Sequence, residues 1–384
     1  MRTEKIVSQI GLDVHKKFSK VTGRSATGEI VWHQRLDHRD RVRFREQIRR
    51  WPKGVPVILE ATFGWGWISD ELKEAELEPH LANSRKVAGW RDARGLAKSN
   101  KIDANLLSEV WSEPERWWEV WLAPPEVRDQ REWLRYRMSL VAMQTRLKNQ
   151  VHAVLHRHGI ILDQSDVFGT KGRRLLNALV APKDVTLPKS GRATLKGYLQ
   201  LLDHVRRQIA QVTRQLRKQL VLTRAGRRLK TLPGVGDILA YTIVAEIGQI
   251  ERFKGVRQLL AYALLAPRAD DSGEEDANNP KGRFLGHAGR RTLQWAWIEA
   301  AHGAVRSGGR FRAMFDRVTN GGKKNCNRGY IVVGHELCRL GYVLWKKDVD
   351  YSEDRPARSG ARSSSSDSRP RMGQPDRPMV AAVA

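Results

Sequence analysis

Apolar residues in the first third of the chain come in short bursts separated by turn residues. Residues 5–14 predict a buried strand, a second falls around 18–23 and a third near 29–34, with Gly23 and Gly28 marking the turns. The charged amphipathic stretch 39–50 predicts a helix. Val55-Pro56-Val57-Ile58-Leu59 is the next strand, and it delivers Glu60 at its end. A helix over 64–75, a short strand at 79–81 and helices from Ser84 onward complete the pattern. Three strands, a helix and then strand–helix alternation predict a mixed sheet flanked by helices, in a first domain of residues 1–120.

After Pro124-Pro125 the period becomes helical. Leu134, Met138, Val141, Thr145, Leu147, Val151 and Leu155 drift around one face of a helix over 127–158. A second long helix, about 195–222, carries Leu201, Val205, Ile209, Val212, Leu216 and Leu220. Neither keeps a strict heptad, so an antiparallel helical pair and a coiled coil serving as an oligomer contact both fit. With the looser stretch 159–191 between them, these helices make a middle region, 121–224. The third region, 225–348, opens at Leu232-Pro233-Gly234-Val235-Gly236, continues in a stripe of Ile238, Leu239, Thr242, Ile243 and Ile247, and ends in an apolar helix over 330–345. The last stretch, 349–384, is Ser-, Arg-, Pro- and Asp-rich and predicts a disordered basic tail. No internal repeat is present.

Charge narrows the class. Lys plus Arg number 69 against 42 Asp plus Glu in 384 residues, a net charge of +27, which implies a polyanionic partner, nucleic acid before a membrane surface. No apolar run reaches the length of a membrane span and no signal peptide opens the chain. Cys326 and Cys338 lack metal-ligand spacing and fit buried thiols in a reducing cytoplasm. Around the Pro-Gly-x-Gly turn, Arg224, Arg227, Arg228 and Lys230 favour a cradle in which the amides of Gly234 and Gly236 hold a DNA phosphate. The plain alternative is a glycine turn between core helices. Arg206, Arg207, Arg214, Arg217 and Lys218 on the second long helix read as a nucleic-acid track or a solvated face. Trp111, Trp117, Trp118 and Trp121 read mainly as packing, leaving one or two to stack on unpaired RNA bases.

Three acids stand where strands end or a helix begins. Asp13 lies near the end of the first strand, followed by His15 and Lys16. Glu60 ends a central strand, and Asp103 sits beside Asn100 on one helical face within Lys98–Ala104. Singly, Asp13 fits a turn cap, Glu60 an arginine partner and Asp103 a helix N-terminal charge. Together they fit an oxygen cage for Mg²⁺, which polarises a phosphate and neutralises charge developing on it. His15 reads as a structural partner rather than a ligand.

These residues carry a resemblance. Gly-Leu-Asp13-Val-His15-Lys16, Leu-Glu60-Ala-Thr, Lys98 to Ala104, Arg137 to Asn149 and Leu-Pro233-Gly-Val-Gly236 to Gly248 follow in order, then Arg252-Phe253, Leu260-Ala-Tyr262-Ala, Leu265-Ala-Pro267-Arg268, Ser272-Gly273 and Gly286-His-Ala-Gly289-Arg. In this order and spacing the chain resembles the DEDD-type insertion-sequence transposases and the related Piv-type DNA invertases over residues 5–348. The resemblance implies an α/β RNase H/RuvC-like N-terminal domain, a long-helix middle segment and a mostly α-helical C-terminal transposase domain with a helix-hairpin-helix.

It also implies Mg²⁺ (or Mn²⁺) held by Asp13, Glu60, position 100 and Asp103. Position 100 is Asn, which coordinates through a neutral oxygen and so lowers metal affinity. Ser272 alone reads as a turn residue; the resemblance makes it a nucleophile that leaves a 5′-phosphoserine link to DNA. Arg268 joins the DNA contacts. Implied partners are donor and target double-stranded DNA, a bridge RNA and further copies of the chain, as a dimer or a tetramer on DNA, in the bacterial cytoplasm at the nucleoid. Two other readings remain: a metal-only RuvC-like junction resolvase with water as nucleophile, and a degenerate nucleic-acid-binding remnant.

Overall fold

The alternating bursts of the first third become a six-stranded sheet in the computed structural model, which describes residues 7–113, 119–182, 186–219, 222–266 and 289–353. β1 (Val7–Val14), β2 (Phe18–Ser25) and β3 (Ile30–Asp37) form an antiparallel meander. After α1 (Arg41–Ile48), β4 (Pro56–Glu60) runs parallel to β1; after α2 (Trp65–Glu74), β5 (Glu78–Ala82) runs parallel to β4. Then come α3 (Ser84–Ala93), α4 (Asn100–Val110) and the two-residue β6 (Glu119–Val120), antiparallel to β5. The strand order is β3-β2-β1-β4-β5-β6. β6 was not anticipated, because two residues carry no readable period.

One sheet face buries Leu12, Val21 and Leu59 against Phe44, Ile48, Ile68 and Leu72 of α1 and α2. On the other, Ile58 and Ala82 meet Val87 of α3 and Leu107 of α4. The backbone of α4 rides directly on β1 at Gly11, where a Cβ would lie 2.2 Å from the Ala104 carbonyl oxygen and 2.3 Å from the Ser108 nitrogen. Buried Arg24 ties β2 to the same helix, donating to the Ser108 hydroxyl (3.1 Å) and pairing with Glu109 (3.0 Å). Helix α4 is thereby fixed in register with the strands beneath it.

α5 (Pro125–Arg157) and α7 (Lys189–Gln219) pack together, with α6 (Thr170–Leu179) between them in sequence. The Arg137 Nε donates to the Thr213 hydroxyl (2.8 Å) near one end, and Gly191 abuts His158 near the other, so the pair is antiparallel. Val151, Val154 and Leu155 meet Leu195, Leu199 and Leu202. The predicted stripe needs two corrections. Leu201 is 53% exposed and Leu202 takes its place inside, one residue round the helix. Thr145 is also exposed, where a hydroxyl costs nothing. Leu220 lies outside the described residues.

The chain divides into two compact units, Met1–Val221 and Leu222–Ala384. The second contains α8 (Arg224–Lys230), α9 (Asp237–Ile247), a 3-10 turn (Ile250–Arg252), α10 (Val256–Tyr262), α11 (Arg291–Ser307), α12 (Gly309–Thr319) and α13 (Cys326–Lys347). Its core surrounds fully buried Trp297 with Leu229, Ile243, Leu259 and Leu337. Cys338 is buried there, and burial pushes its thiol pKa up; Cys326 is only half-buried and donates its thiol to the Gly322 carbonyl. The predicted disordered tail is corrected at its start. The Tyr351 amide donates to the Thr231 hydroxyl (2.8 Å) and the Arg310 amide to Glu353 (3.0 Å), so residues 349–353 are fastened to this unit; 354–384 lie outside the described residues. Among the described residues no helix is long and apolar enough to cross a membrane.

Candidate functional site

Strand register brings the first-domain acids together. Leu12 of β1 is opposite Leu59 of β4, so Asp13 and Glu60 follow as neighbours at the ends of two parallel strands. Both continue the side-chain parity of Gly11 and Ile58, which face α4 and its neighbour α3. Above them, the Ser99 hydroxyl caps α4 by accepting from the Ile102 amide (3.2 Å), which places Asp103 in the first turn. The α3 helix, capped by Asn83, supplies Arg91, whose guanidinium pairs with Asp103 at 3.2 Å.

The three carboxylates feel one another. Burial pushes the Asp13 pKa up; His15 opposes this, its Nε2 2.9 Å from the Asp13 carboxylate, while Asp103 adds to the rise and Lys98 subtracts. Glu60 is also pushed up by burial first, with the Ser84 hydroxyl lowering it and Asp13 and Asp103 raising it further. Asn100 is exposed at the start of α4. The donors are all oxygens, and two are destabilised as anions, a set whose chemistry fits a hard divalent cation. Their spacing is open: among the described residues no three His, Cys, Asp or Glu side chains stand close enough to share an ion, and Arg91 occupies the Asp103 carboxylate. Ser84, Arg91 and Lys98 were not singled out from sequence, since nothing in their spacing marks them among so many basic and hydroxyl residues.

In the second unit, Gly234 of the predicted cradle is packed tightly against α11, whereas Gly236 is not. Gly234 has φ +81°, and a Cβ there would lie 2.1 Å from the Ala300 carbonyl oxygen and 2.6 Å from the Ala304 nitrogen of α11. Gly236 has open space around it and precedes α9 without a side-chain cap. The nearby cations have carboxylate or carbonyl partners. Arg224 pairs with Asp348, Arg228 with Asp348 (3.0 Å) and Asp350 (2.8 Å), and Lys230 with Asp237 (2.6 Å). Arg227 donates to the Leu222 carbonyl (2.8 Å). Ser272 and Arg268 lie outside the described residues. Just before and after that stretch, Arg252 stacks over Tyr262 (4.4 Å), and Arg290 donates to the Tyr262 hydroxyl (2.9 Å).

Of the other basic and aromatic candidates, Arg207, Arg214, Arg217 and Lys218 are exposed on α7, whereas Arg206 donates to the Phe168 carbonyl (3.2 Å). Trp111 packs on His80 (4.6 Å) and Trp121 under Arg131 (5.1 Å); Trp117 and Trp118 lie outside the described residues.

Two transposase family profiles match the chain: a DEDD transposase profile of the IS110 type over residues 10–160, and one described as "Transposase IS116/IS110/IS902 family" over residues 226–316. Among curated proteins, the chain is 25% identical to a "Probable family 20 transposase" of Pseudomonas aeruginosa, over 78% of this chain and 83% of that protein. It is 24% identical to the "Transposase for insertion sequence element IS1328" of Yersinia enterocolitica, over 70% of this chain and 76% of the relative. The "Transposase for insertion sequence element IS1111A" of Coxiella burnetii is 23% identical over 72% of each chain. The first profile spans the sheet, its acids and α5, the second the helices from α8 into α12, so the same chain order underlies both matches. The chain belongs to the DEDD transposases of the IS110/IS116 family.

Proposed function

We propose that this transposase cuts and rejoins DNA strands through a covalent link to Ser272, with Asp13, Glu60, Asn100 and Asp103 holding Mg²⁺ or Mn²⁺ beside the scissile phosphate. The observation that carries the reading is the meeting of Asp13, Glu60 and Asp103 on one sheet face, where burial and mutual repulsion make two of them costly as free anions. The strand order, with β1 flanked by β2 and β4, is the order expected of an RNase H/RuvC-like domain. When bound, the divalent ion supplies charge neutralisation on the phosphate oxygens.

The protein's own groups do the rest. His15 holds the Asp13 carboxylate in place. Arg91 holds Asp103 in an ion pair and would be able to meet the phosphate if a bound divalent cation took over that carboxylate. The Ser272 hydroxyl loses its proton and attacks phosphorus; the 3′-oxygen leaves and takes up a proton, and the 5′-phosphate stays on serine. Attack by that 3′-hydroxyl, or another, reverses the step and rejoins the strand. Donor and target duplexes, a bridge RNA that pairs with them, and a dimer or tetramer combining the Ser272 of one subunit with the acids of another belong to the same proposal, as does action in the bacterial cytoplasm. The turn between α8 and α9 would act as a helix-hairpin-helix, with Gly236 and the first amides of α9 at a backbone phosphate and Arg224, Arg227, Arg228 and Arg268 alongside.

The test is to trap the protein on cleaved DNA under denaturing conditions with Mg²⁺ present. A covalent adduct lost in both Ser272→Ala and Asp13→Asn supports the proposal. Free 5′-phosphate ends formed at an unchanged rate by Ser272→Ala would replace it with metal-only hydrolysis. Binding without cleavage, reversed by Asn100→Asp, would mark the chain as a degenerate copy.

A further inference from the structure

The strand register that aligns the acids continues past them with the opposite sign. Asp13 of β1 is opposite Lys20 of β2, and Lys20 is opposite Arg35 of the edge strand β3. Glu60, Asp13, Lys20 and Arg35 therefore form one transverse row across four adjacent strands. Side-chain parity puts the row on the face covered by α4, because Thr22 and Arg24 of β2, two and four residues beyond Lys20, bond to Asn105 and Glu109 of that helix. Beyond the acids the row opens into a cleft of about 270 Å³, lined by Lys20, Thr22, His33, Arg35, Lys101 and Ala104.

Three cations line the cleft, Lys20 half-buried and Arg35 and Lys101 exposed. Four buried or half-buried arginines of this unit are neutralised by carboxylates: Arg24 by Glu109, Arg91 by Asp103, Arg128 by Asp70 and Arg173 by Asp203. Lys20, Arg35 and Lys101 form no direct ion pair among the described residues; Arg35 lies over the Phe18 ring at 4.5 Å, and its charge helps Arg39 to hold the Asp37 carboxyl low. His33 on the cleft wall is held below its ordinary pKa by burial first, with smaller contributions from Lys101, Arg24 and Lys20. Cations crowded into a concavity repel one another, and an anion seated among them removes that cost. The donors are two ammonium groups and a guanidinium fork, which suit phosphate oxygens.

We infer that this cleft is a subsite for a backbone phosphate of the DNA strand being processed, seated on Lys20, Arg35 and Lys101 while the neighbouring scissile phosphate lies over Asp13 and Glu60. The inference deepens the proposed function and rests on it. Adjacent strands lie about 4.8 Å apart, so Lys20 is one strand spacing from Asp13 and Arg35 two. A strand crossing the sheet along this row meets acids where a metal must bridge it to the protein, and bases where it binds directly. The three cations are positioning residues: they fix which phosphate reaches the acids.

The experiment uses the full-length chain, as wild type, the double variant Lys20→Ala/Arg35→Ala, and the conservative variant Lys20→Arg. Dissociation constants are measured across a salt series for fluorescent duplex DNA, single-stranded DNA and RNA of one sequence. Removing two of the three cations that seat this one phosphate should reduce the slope of log affinity against log salt by up to about 0.9 on duplex or about 0.7 on a single strand. Lys20→Arg should keep the wild-type slope. An unchanged slope in a double variant that melts like wild type overturns the subsite while leaving the proposed function standing. A slope reduced for RNA alone overturns the assignment to DNA. Failure of the wild-type chain to bind any DNA overturns the proposed function, and the subsite with it.

Discussion

Gly11 and Gly234 meet the same constraint in two unlike settings. Each presses its Cα against the backbone of a helix, α4 in the first unit and α11 in the second, at distances no side chain tolerates. In the first unit the contact locks α4 in register with β1, and the acids of strand and helix come to one place as a result. In the second it locks the α8–α9 turn onto the helical core, while the cations around that turn settle into ion pairs with Asp348, Asp350 and Asp237. A motif glycine is thus evidence of close packing first. Whether chemistry follows depends on which side chains the packing leaves unsatisfied.

The largest effect that sharpens this comparison should come from Gly234→Ala. A methyl group 2.1 Å from a carbonyl oxygen, on a residue with φ +81°, combines overpacking with backbone strain and should cost about 3 kcal/mol or more. Gly11→Ala has the clash without the positive φ, so denaturant melts should rank it milder; the reverse ranking would break the equivalence drawn between the two contacts. Asp13→Asn should leave the fold intact and lower Mg²⁺-dependent cleavage by about 100-fold or more.

The same variant carries a stability signature. Asp13 and Glu60 bind protons more tightly folded than at their ordinary values of 3.8 and 4.5, so the metal-free protein should lose stability as pH rises from those values through the raised ones. Asp13→Asn should flatten that decline, and a divalent cation should oppose it; a melt-versus-pH profile identical to wild type would contradict the repulsion. Asn100→Asp adds a charged ligand and should tighten divalent binding by about tenfold, read by metal titration of cleavage or of melting temperature. Arg228→Ala should have the smallest effect. Its pairs are only partly shielded from solvent, so the melting temperature should fall by a few degrees at most, whereas a loss of DNA affinity would show that the pairs with Asp348 and Asp350 exchange for phosphate.

Much of the first unit was legible because its signal is local. Period-two bursts ended by Gly28 and Glu60 define strands whose order then dictates who meets whom; Gly23, expected in a turn, instead lies inside β2 between Ile10 and Trp32, because the strand runs on to Ser25. Asp13, Glu60 and Asp103 could be grouped from their positions at strand ends and a helix start. What sequence did not disclose is how charge is shared. That Arg91 takes Asp103, that Lys20 and Arg35 fall in line with Asp13, and that Arg224 and Arg228 bind Asp348 all depend on contacts between residues distant in the chain. The helical stripe failed at Leu201 for a related reason: a 100° step per residue lets one misplaced position turn a core leucine into an exposed one. The Pro-Gly-x-Gly turn was found but its role was ambiguous, since a phosphate cradle and a tight helix contact ask for the same small residues.

The junction at Gly11 has a consequence for anyone scanning this chain by mutagenesis. Because α4 bears on β1 at a point without a side chain, a single added methyl there would tilt the helix and carry Asp103 out of alignment. The variant would score as inactive, indistinguishable in an activity screen from one lacking a ligand. A map of essential positions will therefore mark carpentry and chemistry alike, and only paired folding measurements will tell the hinge pin from the blade.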